Sequence, residues 1–99
     1  MEAVLTGIPA GSKMPVPGGV TEELHEIFRQ LEELLAAAGV TKNSVCSVRL
    51  YLEHVLRDIG EVNKVYKDYF GPHPPNRRAY GVALQSGMLI EAAFVVELP

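Results

Sequence analysis

The last third of the chain contains two segments in which apolar side chains alternate with other residues, and this pattern constrains the fold most strongly. The first segment is Pro74–Leu84 and the second is Met88–Leu98. A period of two indicates β-strands. Residues 85–87 (Gln-Ser-Gly) fit a three-residue hairpin loop, because the last position of such a loop needs a positive φ and favours glycine. The sequence therefore predicts a β-hairpin.

The predicted hairpin places a cation and a carboxylate on one face of the sheet. A three-residue loop sets Leu84 opposite Met88, which leaves Arg77 and Glu91 about four residues, or roughly 13 Å, apart along the strands. Ala79 and other small residues lie between them, so the two charges could hold a small charged molecule. A two-residue loop, or a slip of one residue, puts the charges on opposite faces. Two exposed charges on a half-solvated sheet are the plainer alternative.

Length and composition describe one small domain, residues 1–99, with a formal net charge of −3. The chain has no basic run, which argues against nucleic acid or an anionic membrane as a partner. Its single cysteine excludes an internal disulfide and suits a reducing compartment. The sequence has no apolar run of membrane-spanning length and no secretory signal. We therefore expect a cytoplasmic protein.

The remaining segments alternate between strand and helix patterns. The predicted order β, α, β, α, β, β indicates an α+β fold, with a single-layer mixed β-sheet and two helices packed on one face. Cys46 falls on the apolar side of its strand, where a free cysteine usually behaves as a small buried hydrophobe. The segments before the hairpin are a strand in Glu2–Ala10, a helix in Thr21–Ala38, a strand in Cys46–Leu52 and a helix in Asp58–Phe70.

The second face of the predicted sheet mixes polar and apolar side chains, among them Arg49 and Tyr51. It is too apolar to be left bare, so we expect an interface between subunits there. Glycine-rich phosphate loops and catalytic-serine elbows are absent from the sequence. The histidines, His25, His54 and His73, lack the spacing of a metal site. We therefore predict neither a metal nor a cofactor.

Five segments of the chain resemble, in the right order, motifs of the RidA/YjgF reactive-intermediate deaminase family. The hairpin carries two of them, a Pro-x-Arg signature and a closing Ile-Glu strand. The five segments are Thr6–Pro9, Leu31–Gly39, Val62–Phe70, Pro75–Ala83 and Ile90–Val95. The resemblance covers about residues 5–97, and by it the chain is a short member that lacks the family's usual N-terminal strand.

This resemblance implies a chorismate-mutase-like fold, a homotrimer with clefts between subunits, and hydrolysis of enamines and imines such as 2-aminoacrylate to 2-keto acids and ammonia. It implies that Arg77 clamps the carboxylate of a small metabolite, since a planar guanidinium donates two parallel hydrogen bonds. Glu91 would place the attacking water. Thr6, Asn63 and Ala79 would complete the substrate-binding set. Neither cofactor, metal, nucleic acid nor membrane is implied.

The missing N-terminal strand motivates an alternative function, and three residues also depart from the family pattern. Thr6 stands where serine is expected, Ala79 stands where cysteine is frequent, and Arg78 follows Arg77 where a small or apolar residue is usual. The alternative is a non-catalytic trimeric protein that binds or senses a small metabolite. A nuclease, an activity attached to some relatives, is disfavoured by the acidic balance of the chain.

Overall fold

The computed structural model describes residues 1–99 as one mixed β-sheet with two α-helices on one side. The sheet has four strands in the order β1-β4-β2-β3, in which β4 runs antiparallel to β1 and β2, and β3 runs parallel to β2. The predicted α+β fold is confirmed. Neither helix has the length and apolar character needed to cross a membrane. The elements are β1 (Glu2–Thr6), α1 (Val20–Ala38), a 3-10 helix (Lys42–Ser44), β2 (Val45–Leu52), α2 (Val55–Phe70), β3 (Asn76–Gly81) and β4 (Ile90–Val96).

The two helices form where the apolar spacing predicts them. The apolar residues of α1 recur at three- and four-residue intervals, which puts them on one stripe that faces the sheet. Helix α1 ends at Gly39, whose φ of 74° is left-handed and whose amide donates to the carbonyls of Leu35 and Ala36. Helix α2 begins at Val55, one turn earlier than predicted, and Asp58 is buried in its first turn beside Arg57.

The core lies between the helices and one face of the sheet. Phe28 of α1 stacks on Tyr69 of α2 with ring centroids 4.1 Å apart, and its ring also meets Phe94 of β4. Phe94 is fully buried, as are Leu50 and Ile90. These contacts tie both helices to the two central strands, so the sheet is a rigid platform for the side chains on its other face.

The predicted hairpin is wrong, because β2 lies between β3 and β4. Arg77 is paired with Val48 of β2, and Glu91 is paired with Tyr51 of β2. Paired residues project from the same face, and Val48 faces the helices whereas Tyr51 faces away. Arg77 and Glu91 therefore lie on opposite faces of the sheet.

The predicted burial of Cys46 is also wrong. A β-bulge between Val45 and Ser47 adds a residue to β2 relative to β4. Because a bulge breaks strict alternation, Val45 and Val48 are both buried while Cys46 is exposed.

The face of the sheet that the helices leave uncovered, called the open face below, is arranged in three rows. The register of the strands fixes these rows, because residues paired across a sheet share a face. In the order β1, β4, β2, β3, the rows are Thr6, Glu91, Tyr51, Tyr80; Val4, Ala93, Arg49, Arg78; and Glu2, Val95, Ser47, Asn76.

Candidate functional site

Arg77 lies on the edge strand β3 and points toward α2, where two side chains hold it. Its Nη2 donates to Oδ1 of Asn63 at 2.6 Å, and its guanidinium carbon lies 4.8 Å from the ring centroid of Tyr66. Asn63 and Tyr66 are three residues apart on α2, so they share one face of the helix. An amide on one side and an aromatic face on another fix the orientation of the guanidinium without neutralising its charge.

Tyr66 is itself held in place by its hydroxyl, which donates to the carbonyl of Pro75 at 3.1 Å. Burial raises the pKa of Tyr66 to about 12, and the charge of Arg77 opposes this rise. The phenol is therefore neutral at physiological pH and remains a hydrogen-bond donor. The bond to Pro75 also fixes the backbone one residue before β3 begins, which limits movement of Arg77.

The guanidinium of Arg77 retains donors for a ligand. Its bond to Asn63 uses one N–H of Nη2, while Nε and Nη1 make no hydrogen bond within the chain. Ala79 lies two residues further along β3 on the same face and is exposed. Since a methyl side chain fills little space, the surface beside Arg77 stays open. An edge-strand arginine with free donors is suited to bind a carboxylate in two-point fashion.

Glu91 lies in a different environment, on the open face. Its register neighbours are Thr6 of β1 and Tyr51 of β2. Thr6 makes a local contact, since its Oγ1 accepts a long hydrogen bond of 3.4 Å from the amide of Ile8. Tyr51 stacks on Tyr80 with ring centroids 5.6 Å apart. Glu91 is half-buried and makes neither an ion pair nor a side-chain hydrogen bond within the chain.

A pocket of about 320 Å3 adjoins Glu91 beneath the segment that joins β3 to β4. Glu91 and Tyr51 form its floor, and its other walls come mainly from Val82, Leu84 and Met88. The joining segment is held by the side chain of Glu53, whose Oε1 accepts a hydrogen bond of 2.8 Å from the amide of Leu84. A carboxylate and a phenol beside apolar walls form a concave surface of the kind that holds small ligands.

The five predicted site residues thus fall into two groups on opposite faces. Arg77, Asn63 and Ala79 lie on the helix side of β3, whereas Thr6 and Glu91 adjoin each other on the open face. Sequence reasoning assigned no role to Tyr66, although its spacing from Asn63 on a predicted helix was a usable signal.

No group of three His, Cys, Asp or Glu side chains is close enough together to hold a metal ion. The structure contains no candidate metal-binding site of three or more such side chains.

Comparisons with known proteins identify relatives along nearly the whole chain. A family model described as Endoribonuclease L-PSP matches residues 3–98. The mouse 2-iminobutanoate/2-iminopropanoate deaminase is 41% identical over 86 residues, and the human protein of the same name is 37% identical over 86 residues. A solved structure of RidA from an Antarctic Psychrobacter species superimposes with a TM-score of 0.85 at 23% identity, over 97% of this chain and 77% of that one. The similarity to the Psychrobacter protein is a similarity of fold.

The alignments with the mouse and human proteins cover a larger share of this chain than of those proteins. They include 86% of this chain, but 63% of the mouse protein and 62% of the human protein. The chain therefore spans less than two thirds of the length of these relatives.

Proposed function

The chain belongs to the Endoribonuclease L-PSP family, which includes the RidA/YjgF proteins, and from this premise we propose that it hydrolyses reactive imines and enamines. The substrates would be enamines of the 2-aminoacrylate type and the 2-imino acids that form from them when the β-carbon takes a proton, and the products 2-keto acids and ammonia. Two relatives of 41% and 37% identity are named as 2-imino acid deaminases. RNA is a poorer substrate for this chain, since 12 Asp and Glu outnumber 9 Lys and Arg.

The observation that carries the proposal is the supported guanidinium of Arg77. Every 2-imino acid has a carboxylate next to the reacting carbon, and this carboxylate matches the fork of an arginine. Asn63 and Tyr66 hold Arg77 in place before a ligand arrives. Preorganisation of this kind lowers the entropy lost on binding. Arg77 therefore takes the role of substrate clamp.

Glu91 takes the role of orienting the attacking water. The water adds its oxygen to the imine carbon, and one of its protons passes to the carboxylate. Glu91 then returns this proton to the nitrogen of the resulting carbinolamine. The carbon–nitrogen bond breaks, and the hydroxyl proton passes to the departing ammonia, which leaves as ammonium together with the 2-keto acid. The imine carbon is already electrophilic once its nitrogen is protonated, so a positioned base is sufficient. Tyr51 lies beside Glu91 in the same pocket, and its hydroxyl accepts a hydrogen bond from Nε of Arg49.

We propose that the site forms between subunits of a homotrimer. Arg77 and Glu91 lie on opposite faces of the sheet in one chain, so a single chain cannot bring both to one small substrate. In a cyclic assembly with head-to-tail contacts, the β3 edge of one subunit can approach the open face of the next.

The direct test is release of ammonia and pyruvate from freshly generated 2-aminoacrylate. We expect Arg77→Ala to raise KM or abolish turnover, because the substrate carboxylate loses a charge-assisted bidentate partner. Lys13→Ala is the matched control, since it removes one exposed positive charge from a loop without removing a contact. Turnover by Arg77→Ala equal to that of the control would rule out the clamp.

A mixing experiment tests whether two chains form each site. Arg77→Ala and Glu91→Ala chains are co-expressed with different tags, and mixed assemblies are purified. In a cyclic trimer, every assembly that contains both variants has both intact residues at one of its three sites, so about one third of wild-type activity should return. If each variant alone is inactive and the mixed assemblies recover no activity, the shared cleft would be contradicted.

The assay also separates the proposal from the metabolite-binding alternative. A ligand that binds the folded state raises the melting temperature whether or not it reacts. Wild-type protein that is stabilised by 2-keto acids through Arg77, yet releases no ammonia from 2-aminoacrylate, would be a binding protein and not a deaminase.

A further inference from the structure

The open face carries a cluster of positive charge that the proposed reaction does not use. At the end of the sheet away from Glu91, a cavity of about 620 Å3 is formed by residues 47–49 of β2 and residues 76–78 of β3. Arg49 lies directly opposite Arg78 across the two parallel strands, and Ser47 lies opposite Asn76. Arg77 forms part of the wall, but its guanidinium is turned to the other face of the sheet, where it bonds Asn63.

The charges in this cavity are poorly compensated. Like charges directly opposite each other on neighbouring strands destabilise a sheet. Arg49 has partial compensation, since its Nη2 lies 2.8 Å from Glu2 and its Nε donates to the Tyr51 hydroxyl. The side chain of Arg78 makes no hydrogen bond and no ion pair, and no carboxylate lines the cavity. In a chain with more acidic than basic residues, this is a local reversal of charge.

The lining groups have the chemistry of an oxyanion site. Two guanidinium groups present planar sets of N–H donors, and such groups bind phosphate and carboxylate oxygens through parallel bonds. The hydroxyl of Ser47 and the amide of Asn76 are additional donors in the next row of the same face. A small anion between Arg49 and Arg78 would replace repulsion between them by two attractions.

We propose that Arg49 and Arg78, with Ser47 and Asn76, form a binding site for a small oxyanion that carries two negative charges, either a phosphate or a dicarboxylate. This site is separate from the substrate clamp, because Arg77 projects from the opposite face of the same strand. Such an anion would act as an effector of the assembly, and its binding does not require the deaminase activity.

Isothermal titration of the intact protein with inorganic phosphate, and separately with succinate, tests the site at low ionic strength. We expect at least one of them to bind the wild type, more weakly as sodium chloride is added, because exposed charges are screened. Arg78→Ala should weaken binding by about tenfold or more, as expected for loss of a charge-assisted contact. Lys13→Ala, with the same change in net charge, should change it by less than about twofold.

Glu2→Gln should have the opposite effect on the affinity for the anion. It frees Arg49 from its carboxylate partner, so the anion should bind more tightly than to the wild type. Circular dichroism of each variant checks that the fold is retained. Absence of binding by both anions, or equal affinities for Arg78→Ala and Lys13→Ala, would overturn the site. Neither result bears on the deaminase proposal, which is measured by ammonia release.

Discussion

Replacing Gly7 by alanine should destabilise the fold, because the first helix leaves no space for a side chain there. A Cβ atom at this position would lie 2.7 Å from Cβ, 2.8 Å from Cγ and 2.9 Å from Cα of Glu23. The Cα atom of Glu23 belongs to the backbone of helix α1 and the Cβ atom is bonded to it, so a change of side-chain rotamer cannot remove the overlap. The chain after β1 or the first turn of α1 must therefore move.

The cost follows from the depth of this overlap. Overpacking of a well-packed site typically costs about 1–3 kcal/mol. For a domain of this size, each kcal/mol lowers the melting temperature by about 4–8 °C. Glu23 also accepts a hydrogen bond of 2.9 Å from the amide of Leu89, just before β4, and displacement of α1 would weaken this bond. We therefore expect the cost of Gly7→Ala in free energy of unfolding to lie in the upper part of the range of about 1–3 kcal/mol.

Gly60→Ala is the matched control, since it makes the same chemical change at a position with free space. Gly60 lies within α2, and nothing would lie within 4 Å of an added Cβ. Alanine in a helix interior is favoured over glycine by about 0.5–1 kcal/mol, so this variant should be more stable than the wild type.

Urea denaturation of both variants and the wild type, at one protein concentration, gives the free energies of unfolding. Unchanged m-values would show that the variants and the wild type expose the same amount of surface on unfolding. If Gly7→Ala were within about 0.5 kcal/mol of the wild type, the size of a neutral surface substitution, the packing of Gly7 against Glu23 would not constrain the fold.

Two further substitutions test the core and its buried carboxyl group. Phe94→Ala should cost about 3–5 kcal/mol in urea denaturation, because it removes a fully buried ring, whereas Leu56→Ala, at a side chain 93% exposed, should stay within about 0.5 kcal/mol; similar values for both would refute the assigned core. Burial raises the pKa of Glu23 above its ordinary value of 4.5. The stability that such a group contributes below pH 4.5 is lost as the pH rises through its folded pKa. Glu23→Gln keeps an acceptor without the charge, so its stability relative to the wild type should be higher at pH 7 than at pH 4, and an equal difference at both would contradict this assignment.

The helices could be predicted from sequence because their signals are local. The apolar stripe of α1 is set by residues three and four apart, and Gly39 ends the helix through its own backbone conformation. The apolar face of β4 was predictable for the same reason, since Ile90, Ala92, Phe94 and Val96 are all buried as their alternation indicates. Local pattern thus predicted the elements and most of the core.

Strand pairing could not be predicted in the same way. Alternation tells which residues of a strand share a face, but it does not tell which strand lies alongside. The loop at residues 85–87 fits a hairpin, yet β3 pairs with β2 through the long crossover that contains α2. The bulge at Cys46 had no local signal either, since a single extra residue is fixed by the partner strand.

The crossover from β2 through α2 to β3 has two consequences for the candidate site. It lays Asn63 and Tyr66 over β3, which is what fixes the guanidinium of Arg77. It also inserts β2 between Arg77 and Glu91 and reverses their relative faces. The connection that holds Arg77 in place is therefore the one that separates it from Glu91. The proposed reaction needs both groups, so we expect it to occur only where a second chain meets the first and to depend on assembly.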